Sequence, residues 1–276
     1  MGLFTNYSKP GPGVDVNAPK KKGLFLYLEV LGRKFFPLIK VNCLYVLASL
    51  PFFAIALFVL APLLTDAFVG YSLAGDTQSQ QRVMFDLLFA GLIFTFYGSG
   101  PAASSYSFVT RSFTRSEPLY GGLLSDSWDK FKENFKYAML FVIMDIVVIY
   151  IVISAIRFYA TGGTLLSLAL YFFCVLIFAV YSISHMFAYQ IMVTFDCKFK
   201  DIIKNSIILT IAKLPMCILL GVLSTVICSV FCSLGLFGII IYAVVGISIA
   251  KFPLEFYAAR VIDKNIESMS SSEGGN

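Results

Sequence analysis

The chain has 276 residues, 58% of them hydrophobic and 13% charged. A soluble domain is nearer half apolar and a quarter charged, so the surplus apolar side chains must meet lipid or one another inside a membrane. On a soluble protein a net charge of +5 would suggest nucleic acid; here the cations flank long apolar runs, so no nucleic-acid partner is expected.

Residues 1–23 are polar, basic and rich in Pro and Gly. They read as a flexible cytoplasmic segment, without the early apolar run of a cleavable signal. Asn6 stands where a myristoylation pattern needs Ser or Thr. From Lys20 to Lys40, Leu24, Leu28 and Leu31 or Phe35 recur at helical spacing beside a basic face. A single transmembrane domain is expected over 24–264, and a disordered tail over 265–276.

Six spans are predicted, at approximately 41–64, 87–110, 137–156, 164–190, 214–233 and 236–257. The first two and the third are separate runs, the first holding Pro51 and Pro62 and the second Gly98, Gly100 and Pro101. The run from Phe158 to Phe195 would reach roughly 57 Å as a straight helix. It lacks Gly and Pro beyond Thr164, so it reads as one long helix. The run from Leu214 to Ala250 has turn residues at Ser233 to Gly238 and reads as a hairpin of two spans, with the Lys251 ammonium snorkelling to the interface. Nineteen of the 21 Lys and Arg fall on alternate connections and termini, which places both ends in the cytoplasm.

Two more basic amphipathic segments lie on the cytoplasmic side. In 123–136, Leu124, Trp128, Phe131 and Phe135 share a helical face, with Ser125 or Asp126 as candidate cap. In 198–213, Ile202, Ile203, Ile207, Ile208 and Ile211 form a stripe that Pro215 terminates. These elements suit anionic lipid. Trp128, Phe131, Asn134 and Phe135 are the candidate cytoplasmic interaction residues. The expected fold is all-α: a polytopic bundle of six transmembrane helices with cytoplasmic amphipathic helices.

Gly100-Pro101-Ala102-Ala103, then Val109-Thr110-Arg111-Ser112-Phe113, then Ser125 to Lys136 around Trp128, together resemble the signature of the YesL-type bacterial membrane proteins, a family of unknown function. The opening resembles it too, at Gly2-Leu3-Phe4, Tyr7, Lys9-Pro10-Gly11, Ala18 to Lys22 and Arg33-Lys34-Phe35. A longer outside loop than in the common pattern separates the first two spans. The resemblance implies a plasma-membrane protein of Gram-positive-type bacteria, encoded near carbohydrate uptake and degradation systems, with no established activity.

Asp145 stands in the third span, where an ionised side chain is costly and reads as functional or as a neutral packing group. His185, Tyr residues of the fourth span and Lys213 are its candidate partners. His185 itself reads first as a packing or interfacial residue. Gly100 and Pro101 break or kink the second span, as in transporter binding sites, or bring helices together through small residues. Glu255 is expected to pair with Lys251 or Arg260 at the cytoplasmic surface.

No Walker A, GxSxG or HExxH occurs, so no catalytic residue is assigned and no enzyme is expected. The six cysteines (Cys43, Cys174, Cys197, Cys217, Cys228 and Cys232) form no CxxC and there is one His, so neither metal nor cofactor is expected. The favoured function is an accessory or scaffold protein associated with carbohydrate uptake, with membrane transport subunits or a second copy of the chain as partners. The alternative is a small-solute transporter or channel using Asp145 and the broken second span. No inverted repeat relates the two halves, which weighs against that alternative.

Overall fold

The structure, a computed structural model, describes residues 23–74, 100–160 and 163–273. Among these residues there are helices and no strands. The helices are α1 (Leu24–Ala74), α2 (Gly100–Arg115), α3 (Gly122–Glu133), α4 (Phe135–Ala160), α5 (Leu165–Thr194), α6 (Phe199–Ala212), α7 (Leu214–Cys232), α8 (Gly235–Ile241) and α9 (Ile247–Glu273), with a π turn at Tyr242–Gly246 joining the last two. Among the described residues, five stretches are long and apolar enough to cross a membrane: Leu24–Phe52, Phe135–Ile156, Leu165–Thr194, Leu214–Cys232 and Phe237–Glu267. Of the predicted second span only the part from Gly100 onward is described. Gly98 and the N-terminal segment lie outside the described residues.

The predicted first span and the basic amphipathic stretch before it are one helix. α1 runs through Pro37, Pro51 and Pro62 without a break. Proline ends helices in water because the freed carbonyls hydrate; in lipid that alternative is missing, and neighbouring groups take the carbonyls instead. Of the expected stripe, Leu24 and Leu28 are exposed and Leu31 packs against the core, while Val30, Leu38 and Val41 are buried.

α5 begins at Thr164, whose hydroxyl accepts the Ser167 amide while the Ser167 hydroxyl accepts the Thr164 amide. It continues unbroken to Thr194, as its lack of Gly and Pro predicts. The hairpin turn between α7 and α8 also stands where predicted. Gly235 has φ +65°, a conformation that side chains with a Cβ disfavour. α9 runs on to Glu273, through most of the segment read as a disordered tail.

One of the two later amphipathic segments differs from expectation at its start. α3 starts at Gly122, before Ser125 and Asp126, so neither caps it as predicted; Asp126 instead accepts the Gly121 amide at 3.0 Å. α6 buries Ile202, Ser206 and Thr210 and leaves Ile208 and Ile211 exposed. Its buried face thus combines one large apolar residue with two small polar ones, while two isoleucines of the expected stripe face outward. Such a mixture is expected where helix association depends on packing and hydrogen bonds rather than on escape from water.

The centre of the bundle is a helix rich in hydroxyl side chains. α2 reads Gly-Pro-Ala-Ala-Ser-Ser-Tyr-Ser-Phe-Val-Thr-Arg-Ser-Phe-Thr-Arg, and nearly every side chain is buried against α1, α3, α4, α5 and α9. Its serines and threonines bond back to their own helix: Ser104 to Pro101 O, Thr110 to Tyr106 O and Thr114 to Thr110 O. Gly100 lies against α4 so closely that a Cβ there would stand 2.3 Å from the Ala138 carbonyl oxygen. The segment carrying Gly100 and Pro101 is therefore a helix contact through small residues.

The C-terminal end of α2 is tied to three other elements. Arg111 Nη1 donates to the Val193 carbonyl at 3.0 Å, satisfying an orphan acceptor in the last turn of α5. Arg115 pairs with Asp263 of α9, and Arg33 of α1 donates to Ser116.

Candidate functional site

Two ionisable clusters are buried in the bundle. The first joins α4 to α5. Asp145 is 4% exposed and His185 1%, so both are out of reach of solvent. Asp145 Oδ1 receives the Tyr181 hydroxyl at 2.6 Å and lies 2.8 Å from His185 Nε2. His185 Nδ1 lies 3.0 Å from the Tyr181 carbonyl, one turn back on the same helix. Asp145 Oδ2 is buried and has no hydrogen-bond partner among the described residues. The rings of Phe141, Tyr181 and Tyr189 flank the imidazole, with centroids 4.9–6.1 Å away. The fourth-span histidine and tyrosine are thus the partners of Asp145.

The second cluster overturns two expectations. Lys251 does not snorkel, and Glu255 is not at a surface: they are 4% and 1% exposed. A helical side chain leans toward its helix N-terminus. Lys251 therefore leans back along α9 toward the Gly235 turn, into the bundle. Its Nζ sits 4.5 Å from the centre of the Tyr45 ring and 5.1 Å from that of Tyr106, and 4.0 Å from Glu255 Oε1. Two aromatic faces and a carboxylate thus replace water around the ammonium. Glu255 also accepts from Ser107 Oγ at 2.9 Å and from Gln190 Nε2 at 2.6 Å, and the same Gln190 amide reaches the Ser107 carbonyl at 3.1 Å. One carboxylate so links α2, α5 and α9. Of the two partners expected for Glu255, Lys251 is the one that reaches it.

Neighbouring contacts continue this polar seam. Asn42 Nδ2 on α1 donates to the carbonyls of Ala243 and Val244 at 2.7 Å each. These carbonyls belong to the π turn, where the ordinary helical bonding pattern shifts. Ser248 Oγ donates to the Leu38 carbonyl at 3.0 Å. Tyr45 and Tyr106 also line an apolar cavity of about 80 Å³, walled besides by Val41, Ala102, Leu124 and Trp128.

The candidate interaction residues divide in two. Trp128 is 57% exposed and stacks on Phe131 at 5.2 Å, and Phe135 is also exposed. Asn134 is buried; it donates to the Lys130 carbonyl at 3.1 Å and closes α3 before α4 begins. Cys228 and Cys232 lie one turn apart with sulfurs 3.9 Å apart, as free thiols. Among the described residues no group of three or more His, Cys, Asp or Glu is placed to hold a metal ion.

The second cluster was not foreseen as a site. Its signal is a Lys and a Glu four apart, on one face of an otherwise apolar helix, together with a lone Gln in another apolar run. No family model, curated protein or solved structure matches the chain.

Proposed function

We propose that the chain is a YesL-type protein of the bacterial plasma membrane, with six spans and both termini in the cytoplasm. In this reading the sixth crossing is the segment at 87–110 that leads into α2. The charge distribution supports the orientation: Lys130, Lys132 and Lys136 fall on one side with Lys198, Lys200 and Lys204.

Its role in this reading is that of an accessory or scaffold protein for carbohydrate uptake. The observation that carries it is the state of α3. This helix has no buried residue, and it presents Leu124 and Trp128, preceded by Tyr120, on an exposed aromatic and aliphatic face at the cytoplasmic end of the bundle. Such a face is suited to the headgroup layer of an anionic membrane or to a transport subunit beside it.

The test is purification in mild detergent from cells induced for sugar uptake, comparing the native chain with Leu124→Ser/Trp128→Ser. Co-purification of transport subunits that the variant loses supports the reading. Recovery of the native chain without any partner counts against it.

Transport of a small solute is the second reading, favoured by the two buried ionisable clusters, since charges in a membrane bundle commonly mark ion or proton paths. Proteoliposomes that accumulate no labelled sugar or ion under any imposed gradient would remove it.

A further inference from the structure

We propose that Asp145 and His185 form a proton-binding site, a carboxylate–imidazole pair that holds one proton as a unit inside the bundle. The argument rests on which atoms can donate. The Tyr181 carbonyl can only accept, so the 3.0 Å contact with His185 Nδ1 requires a hydrogen on Nδ1. Nδ1–H uses the one proton of a neutral imidazole. The 2.8 Å contact between Nε2 and Asp145 Oδ1 then needs a second proton between them. That proton sits on Nε2, giving an imidazolium beside a carboxylate, or on the carboxyl, giving a neutral acid beside a neutral ring. Either way the pair is neutral overall.

The unloaded pair is disfavoured in each tautomer. With Nδ1–H kept, the Nε2 lone pair faces an ionised carboxylate. With the hydrogen moved to Nε2, the Nδ1 lone pair faces the Tyr181 carbonyl. In both cases a buried contact lacks its hydrogen, and a net negative charge remains where Asp145 Oδ2 has no hydrogen-bond partner among the described residues. Among the described residues, Tyr181 and Tyr189 of α5 and the Phe141 ring of α4 face the pair. The charged groups of the second cluster, on α9, reach α5 one turn further on, at Gln190. The Tyr181 hydroxyl donates to Asp145 Oδ1, which steadies the carboxyl group but supplies no proton to the Nε2 contact.

The inference is independent of both functional readings, because the proton is observed on the site itself, whether or not any solute moves or any partner binds. His185 is the only histidine in the chain. ¹⁵N-histidine labelling therefore gives one imidazole spectrum for the full-length protein in lipid bilayers. The measurement is made near pH 8, about 1.5 units above the range where an unpaired imidazole loses its charge. Infrared spectra of the same sample report protonated carboxyl groups, and the band of Asp145 is assigned by its loss in Asp145→Asn. If Asp145→Asn does not fold, its displacement in Asp145→Glu makes the assignment.

The expected result is one proton equivalent at the site near pH 8, seen as an imidazole protonated on both nitrogens or as a protonated Asp145 carboxyl beside a ring protonated on Nδ1. A neutral imidazole together with an ionised Asp145 at that pH, in either tautomer, would overturn the proposal.

Discussion

Asn42 on α1 donates through its side-chain amide to the Val244 carbonyl, and to that of Ala243 beside it, across 2.7 Å in each case. The acceptors lie in the π turn that interrupts the last membrane-crossing stretch. A local departure from α geometry in one helix is thereby matched by a single polar side chain in another.

Asn42→Leu should remove that match. Two part-buried carbonyls would lose a donor, at a cost of about 1 kcal/mol for a lost hydrogen bond. Thermal unfolding in detergent is expected to shift downward accordingly. An unchanged midpoint would mean that the turn is satisfied without Asn42.

Glu255→Leu should cost more, about 3–5 kcal/mol, because it strands the Lys251 ammonium in an apolar interior. Replacing both partners, Lys251→Met with Glu255→Leu, is expected to recover part of the loss, since no unpaired charge remains while the Ser107 hydroxyl and the Gln190 amide still lose an acceptor. A double-mutant cycle on unfolding free energies measures the difference. Strict additivity of the two single changes would show that the pair is not coupled.

Gly100→Ala is a test of the close crossing of α2 and α4. The added methyl would meet the Ala138 carbonyl oxygen, so α2 and α4 must separate. Overpacking of this kind costs about 1–3 kcal/mol. Gly32 has open space around its Cβ position, and Gly32→Ala is the control expected to leave stability unchanged or slightly raised.

Cys197 reports on sidedness. It lies between α5 and α6, where burial raises its thiol above the usual range and the Asp201 and Asp196 carboxylates raise it further. A raised thiol holds less thiolate at neutral pH. In a chain where it is the only cysteine, maleimide labelling should be slower than for an unperturbed thiol and should keep accelerating as pH rises beyond the ordinary thiol range. An impermeant reagent should reach it in inverted vesicles and not in intact cells. Labelling from outside intact cells would reverse the proposed orientation.

Run length made the helices legible: α4, α5 and α7 lie close to where uninterrupted apolar stretches place them. Asp145 and His185 were legible as partners for a related reason. Each is the rare polar group in its run, and in lipid such groups seek one another. Lys251 and Glu255 were misread because a charge near the end of an apolar stretch looks the same whether it leans outward or inward. The direction of the helix decides this, and α9 directs Lys251 inward. The isoleucine stripe of α6 was legible only as a stripe: periodicity does not tell that Ile202 would be buried while Ile208 and Ile211 face outward. Asn42 was not singled out, because nothing local to α1 announces a π turn some two hundred positions away.

α5 is one uninterrupted rod with two unequal halves. No residue of Leu165–Ile177 is buried, whereas from Ser182 to Met192 every residue is. The first half is held straight by its own backbone bonds and by whatever fluid bathes it; the second is gripped on several sides. Amide exchange along this single helix should therefore be graded, fast at the Thr164 end and slow past Ser182, so that the rod loosens from its ungripped tip while its root stays anchored.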